Sequence, residues 1–245
     1  MNKQNAILND SNLNRTRFEF IDLGIIDYLS AWNVQKETLQ SLLNGSGKQK
    51  VFLLEHPPVF TLGRSTGPNQ VKSNLLDDVR PPENIPREPC FENSFFIKNI
   101  RSFWVNRGGG ITYHGLGQLV VYPIIAIKGK ERNLNRLLSF FEELTIQLCL
   151  QYDVKAFAVD GKRGVWTKSG KLASIGIGIK KWILFHGISI NINCDLSYFD
   201  MINPCGIAGC KMVNLSQLTR KDVNMPEIKN FFIDRMEEFW RVFWT

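Results

Sequence analysis

The apolar residues of this chain fall into short runs that pair off like hairpins between longer helix-period stretches. Residues 22–44 carry Ile25, Leu29, Trp32, Leu39, Leu42 and Leu43 on one helical face, with Gly45 as the stop. Short strands follow at Val51–Glu55 and Val59–Leu62, separated by His56-Pro57-Pro58, because two adjacent prolines cannot sit inside a sheet ladder. Strands resume at Phe95–Lys98 and Phe103–Asn106, and Leu119–Ile125 is a strongly apolar strand. A helix at 133–150 buries Leu134, Leu137, Leu138, Phe141, Leu144 and Leu148. Lys155–Val159 reads as a strand, and Lys171–Ile179 and Trp182–Ile192 read as a pair turning at Lys180-Lys181. Pro226 opens a last helix, 226–243, whose apolar side is Ile228, Phe231, Phe232, Phe239 and Phe243. Helices around hairpin-like pairs, without a βαβ alternation, predict one α+β domain with a mixed, largely antiparallel sheet.

Nothing marks a domain boundary within 18–245. The polar residues 1–17 read as a flexible lead-in without the apolar core of a secretory signal. Residues 64–94, broken by Pro68, Pro81, Pro82, Pro86 and Pro89, read as an irregular loop, either an active-site loop or an insertion. No apolar run is long enough to span a bilayer. The five cysteines, Cys90, Cys149, Cys194, Cys205 and Cys210, are odd in number and include no CxxC pair, which fits a reducing cytosol better than a disulfide framework or a zinc knuckle. The net charge of +7 fits either solubility or steering of an acidic partner. No basic helix, zinc finger or aromatic RNA-binding signature accompanies it, so nucleic acid is not the expected partner.

Three places carry chemistry. The three histidines, His56, His114 and His186, each adjoin proline or glycine. They would line one site or sit in separate turns, and none has metal-ligand spacing. Arg107-Gly108-Gly109-Gly110-Ile111-Thr112-Tyr113-His114 joins two strand-like stretches. Its glycines would let the backbone lie against a ligand, with Arg107 on an anionic end, or would serve only a turn. The run is neither a Walker loop nor a dinucleotide fingerprint. Pro204-Cys205-Gly206 presents a cysteine in a turn, and a thiol needs a nearby cation to raise its thiolate fraction. Lys171, opening a mostly small and apolar run, is the candidate; placed there it points inward, where burial and a neighbouring thiol would lower its own pKa. A turn cysteine and an ordinary edge lysine are the alternative.

Several blocks, in order, resemble the octanoyltransferase family within the biotin/lipoate protein ligase-like fold: Glu55–Gly63, Arg107-Gly108-Gly109 with Thr112–Gly115 and Gly117-Gln118, Gly164-Val165-Trp166, Lys171–Gly176, Phe185-His186-Gly187 with Asn191 and Asn193, and Ile202–Gly206. Asn106 stands where that family often has an acidic residue, and Leu116 where it usually has proline. The resemblance implies catalytic roles for Cys205, as the acyl-thioester cysteine, and Lys171, as the lysine that lowers its pKa. It implies substrate contacts from Arg107, Gly108, Gly109, Gly110, Ile111, Thr112, Tyr113 and His114, from Ser174, Ile175 and Gly176, and from Gly187, Ile188 and Ser189. His56, His186 and Gly206 are candidate supporting residues. It further implies transfer of an octanoyl group from acyl carrier protein to a lysine ε-amine on lipoyl domains, the first step of endogenous lipoate biosynthesis. The acceptors would be lipoyl domains of 2-oxoacid dehydrogenases or the glycine cleavage H protein. No metal, cofactor, nucleic acid or membrane is involved in that reaction, and the expected location is cytoplasmic. An ATP-dependent ligase of the same fold would release AMP and would not need Cys205; a non-catalytic binder of lipoyl domains or carriers would form no acyl-enzyme.

Overall fold

A computed structural model describes residues 16–67, 70–71, 89–206 and 209–245, with the side chain of Cys205 outside the described part. The chain runs β1 (Glu19–Ile25), α1 (Tyr28–Leu43), β2 (Lys50–Glu55), β3 (Val59–Leu62), β4 (Ser94–Ile97), β5 (Ile100–Trp104), β6 (Ile111–His114) and β7 (Gln118–Ala126). It continues α2 (Leu134–Gln151), β8 (Ala156–Val159), β9 (Lys162–Thr167), β10 (Gly170–Lys180), β11 (Ile183–Asn191) and α3 (Met225–Phe243).

A seven-stranded sheet has the order β1-β2-β7-β11-β10-β9-β8, and a four-stranded sheet the order β4-β5-β3-β6. Each sheet contains one parallel pair, β1 with β2 and β3 with β5; their other neighbours are antiparallel. The large sheet is covered on both faces. Val51, Leu53, Leu119, Val121 and Ile125 face a core with Leu137, Phe140, Phe141 and Leu144 of α2 and Ile228, Phe232 and Trp240 of α3. Phe52, Leu54, Val120, Tyr122 and Ile124 point the other way, onto Ala31, Trp32 and Leu39 of α1. Alternate residues of β2 and β7 thus meet different helices, which is why both strands read as continuous apolar runs rather than alternating ones. The small sheet packs Phe60, Leu62, Trp104, Ile111 and Tyr113 on Phe199, Ile202 and Met212. Each helix opens on an Asx cap: Asp27 accepts from Ser30 N–H, Asn133 from Arg136 N–H and Asn224 from Glu227 N–H. Each such cap contributes about 1 kcal/mol.

The expected single α+β domain with mixed, largely antiparallel pairing flanked by helices is present, but the strands are divided between two sheets where one was expected. Local departures have local causes. Helix 1 starts at Tyr28, not at 22, because Asp27 caps it and residues 19–25 form β1 alongside β2; Ile25, expected on the buried helical face, is 63% exposed. The segment β1-α1-β2 is therefore a parallel crossover, the one such unit the apolar pattern did not reveal. Arg17, assigned to the lead-in, is fixed by Glu131, with Nη1–H donating to Oε1 at 2.6 Å; residues 1–15 lie outside the described residues. In the 64–94 stretch, positions 68, 69 and 72–88 likewise lie outside them, and Ser94 already belongs to β4. Strand β5 begins at Ile100, after a two-residue turn at Lys98-Asn99 that pairs Ile97 with Ile100. Leu134, expected inside, is 50% exposed because it occupies the first helical position. The β10–β11 turn falls on Lys181-Trp182, both at positive φ, one residue later than expected. Strands β1, β6 and β9 had no clear sequence signal.

Phe140 joins the two helices of the larger core, its ring centroid 4.8 Å from Trp240 and 5.2 Å from both Phe141 and Phe239. Phe140→Ala is expected to lower the unfolding free energy by about 3–5 kcal/mol in urea titration. A loss below about 1 kcal/mol would contradict this account of the core.

Candidate active site

Between β6 of the small sheet and the α1-facing side of β7, β10 and β11 lies a narrow cavity of about 40 Å³. Its walls come from three stretches distant in sequence. Arg107, Gly109, Gly110, Ile111, Thr112 and His114 form one side; Ser174, Ile175 and Gly176 form a second; His186, Gly187, Ile188 and Ser189 form a third. The antiparallel register makes the last two one wall, since Ser174 pairs with Ser189 and Gly176 with Gly187. Tyr28, Val120 and Tyr122 complete the lining and carried no functional signal in the sequence. Tyr113 points to the other face of β6, stacked on Tyr198 at 4.6 Å. Gly108 sits beside the slot, its N–H donating to Ile177 O at 2.9 Å.

A directed chain of buried hydrogen bonds holds these walls together. Arg107 Nη2–H donates to Thr61 O at 2.7 Å and to Thr61 Oγ1 at 2.8 Å. Thr61 Oγ1–H donates to His114 Nε2 at 3.3 Å, and His114 Nδ1–H donates to Gln118 Oε1 at 2.7 Å. The Gln118 amide nitrogen lies between two acceptors, Tyr113 O and Asn191 Oδ1, which turns its oxygen toward His114 and fixes that ring's tautomer. Asn191 Nδ2–H then donates to Val213 O at 3.3 Å. Arg107 is thus engaged by the protein at the site where an anionic end of a ligand was one expectation.

Val213 leads to Lys171. Val213 N–H donates to Lys171 O at 3.0 Å, and Lys171 N–H donates to Lys211 O at 2.8 Å. Lys171 is only 1% exposed, and its Nζ lies 5.2 Å from the Trp166 ring centroid. Gly164 makes room for it, because a Cβ there would stand 2.8 Å from Lys171 Cε and 2.3 Å from Ala173 O. The Gly164-Val165-Trp166 block is therefore the seat of this lysine. Pro204–Gly206 forms a short turn just ahead of the 211–213 segment. The Cys205 side chain lies outside the described residues.

Gln70 escaped sequence reading, inside a stretch whose only signal was its prolines. Its Oε1 accepts from Ile111 N–H at 3.0 Å, its Nε2–H donates to Ser65 O at 2.9 Å, and its carbonyl accepts from Asn203 N–H at 2.7 Å. It thereby ties the glycine loop to the turn that carries Cys205. A Cβ at Gly110 would fall 1.9 Å from Gln70 Oε1, so any side chain there would displace the Gln70 amide.

All three histidines are buried in one aromatic cluster: the His56 ring is 5.7 Å from His114 and 5.9 Å from Tyr122, and Tyr122 is 6.3 Å from His186. His114 and His186 line the slot, while His56 sits behind it, donating from Nδ1 to Ile26 O and accepting at Nε2 from Tyr122 O–H. Burial pushes His56 down to about 4, partly offset by the Ile26 carbonyl and Asp27. Burial, then Arg107 and Arg64, pushes His186 down to about 3. Burial, then the charge of His56, holds His114 well below its usual value. Among the described residues no group of His, Cys, Asp and Glu is arranged to hold a metal ion.

The model of the lipoyl protein ligase A/B catalytic domain matches residues 27–237. The chain belongs to that family. The octanoyltransferase of Syntrophotalea carbinolica is 40% identical to this chain over 211 residues, which cover 86% of it and 89% of the relative. The octanoyltransferase of Geotalea uraniireducens is 39% identical over 219 residues, 89% of this chain and 91% of the relative. Among solved structures, a bi-partite lipoate protein ligase from Thermoplasma acidophilum superposes with a TM-score of 0.64 at 13% identity, covering 93% of this chain and 85% of that one. A lipoate-protein ligase A bound with ATP gives 0.60 at 13%, covering 93% and 86%. At such identities the structural likeness establishes the shared fold alone.

Two expectations follow. The histidines are held neutral, with folded pKa values below the unfolded value of about 6.5. The unfolded chain therefore binds more protons below that pH, so their contribution to stability is complete above about 6.5 and is lost as pH falls. The slope reaches about 1.4 kcal/mol per pH unit for each histidine. Urea titrations should give a flat unfolding free energy from pH 7 to 8 and a decline from 6.5 to 5; no decline in that window would contradict the assignment. Separately, Gln70→Ala should speed amide hydrogen exchange at Ile111 by about 10-fold through loss of its acceptor, and an unchanged rate would remove the tether.

Proposed function

We propose that this chain is an octanoyltransferase of lipoate biosynthesis that carries the acyl group on Cys205, with the chain lying in the slot between the sheets. The carrying observation is convergence. Segments 107–114, 174–176 and 187–189 close on one narrow slot, and Lys171 is buried at the start of the strand that supplies the second of them. The octanoyltransferase relatives, matched over most of their length, support the same assignment.

In the first half-reaction the Cys205 thiolate attacks the thioester carbonyl of an octanoyl group on an acyl carrier protein. The new C–S bond forms, the carrier's C–S bond breaks, and the carrier sulfur leaves as a thiol after taking a proton. In the second, the neutral ε-amine of a lipoyl-domain lysine attacks the Cys205 thioester. The amide forms, the enzyme's C–S bond breaks, and the amine's proton goes to the base. The barrier is split into two smaller ones. Lys171 serves as the base, and its positive charge favours the thiolate. No nucleotide is consumed, because the thioester already provides the activation. The acceptors are lipoyl domains of 2-oxoacid dehydrogenases or the glycine cleavage H protein, and the reaction belongs in the cytoplasm. Cys149 and Cys194 are unsuitable nucleophiles, since burial pushes both thiols up to about 12.

The test uses purified octanoyl-carrier protein and a lipoyl domain. Cys205→Ser is expected to abolish transfer. Lys171→Ala is expected to slow both half-reactions by about 100-fold or more and to raise the apparent pKa for Cys205 alkylation. Lys171→Arg should keep the charge and a lowered alkylation pKa but rescue little transfer, because a guanidinium is no base near neutral pH. Wild-type transfer and alkylation profiles in Lys171→Ala would reduce this lysine to a structural role.

A further inference from the structure

The slot ends at an aromatic stack. His186 lines it, and the His186 ring lies on that of Trp32 from α1, centroids 5.2 Å apart and planes at 14°. Across this stack is a second, open cavity of about 910 Å³, walled on its apolar side by Trp32, Leu39, Ile179 and Phe185 and on its polar side by Lys36, Glu37, Gln40, Arg64, Asn106 and Lys180. No described residue lines both spaces.

The stack lies at the end away from Lys171. Ile177, the strand partner of His186, is six residues beyond Lys171 on β10, roughly 20 Å along an extended strand. From Ser174, where the slot begins on that strand, to Ile177 is only about 10 Å, the scale of an extended eight-carbon chain. His186 is fitted to be a solid stop. Its backbone N–H donates to Gln35 Oε1 on α1 at 2.9 Å, which fixes it against Trp32. Neither ring nitrogen has a hydrogen-bond partner among the described residues. The imidazole therefore contributes shape here, and burial keeps it uncharged.

We infer that the His186–Trp32 stack is the floor of the acyl slot and sets the longest chain the enzyme accepts. The inference rests on the acyl-transfer reading of the slot. Removing the His186 ring would lengthen the slot to the faces of Trp32 and Phe185, the apolar walls it would then share with the outer cavity. His186 sits at φ +57°, so glycine both deletes the ring and suits the backbone.

The experiment compares kcat/KM for octanoyl-, dodecanoyl- and tetradecanoyl-carrier donors. Wild type should disfavour the two longer chains by on the order of 100-fold, since the added methylenes have no space. His186→Gly should shrink that gap to below about 10-fold, while His186→Phe, which restores bulk without nitrogens, should keep the gap wide. If thermal melts show His186→Gly to be unfolded, Trp32→Leu thins the same floor from α1 and is read in the same assay, with the same narrowing expected. An unchanged gap in a folded floor variant that still transfers octanoyl, or a wild type without length preference, would overturn the floor. Failure of wild type to transfer any chain would instead defeat the acyl-transfer reading beneath it.

Discussion

The buried hydrogen-bond chain from Arg107 through Thr61, His114, Gln118 and Asn191 to Val213 is the constraint on which the site depends. It crosses from the small sheet to the large one, alongside the bond from Gly108 N–H to Ile177 O. Each internal member donates to the next, so each buried polar atom along it is satisfied by a neighbour from another segment. Leaving one such atom unpaired costs about 1–3 kcal/mol, and the members lose more together than singly. The polar geometry of this chain thereby adds directional constraints on sheet separation, and with it on the width of the slot, to those of apolar packing.

Burial keeps all three histidines neutral. His114 already donates from Nδ1 and accepts at Nε2, so a second proton would displace the Thr61 hydroxyl and face Arg107. His56 is similarly committed between Ile26 O and Tyr122. Such groups are structural pillars of the slot, and in the proposed mechanism the proton transfers are left to Lys171. Its main chain is the far terminus of the network, reached through Val213, and its stem passes over Gly164. A network that begins at the glycine loop and ends at the main chain of Lys171 couples the wall of the slot to the proposed base.

Legibility in the sequence followed the physics of each signal. Strands β2 and β7 were plain because both faces are covered and residues 51–54 and 119–126 are continuous apolar runs. The end of strand β1 was merged with helix 1, since Ile25 stands four residues before Leu29 and so fits its helical face, and only the Asp27 cap separates the two elements. Strand β6 hid inside the glycine-histidine run because its inward residues, Thr112 and His114, are polar. In the site, the motifs marked the residues that line the slot but could not distinguish ligand contact from scaffolding, and Tyr113, in the middle of one motif, turns away from it. Gln70 and the His186–Trp32 stack were invisible because their roles arise from contacts across 41 and more residues, or across two elements, that leave no periodic trace.

The central claim is that the acyl group resides on Cys205 between the two half-reactions. Intact-protein mass spectrometry after mixing with octanoyl-carrier protein, without acceptor, addresses it directly. The account predicts one octanoyl adduct, mapped to the peptide containing Cys205, labile to hydroxylamine and discharged when a lipoyl domain is added. The absence of an adduct, its location on another residue, or acyl transfer that proceeds only with ATP and free acid would contradict it.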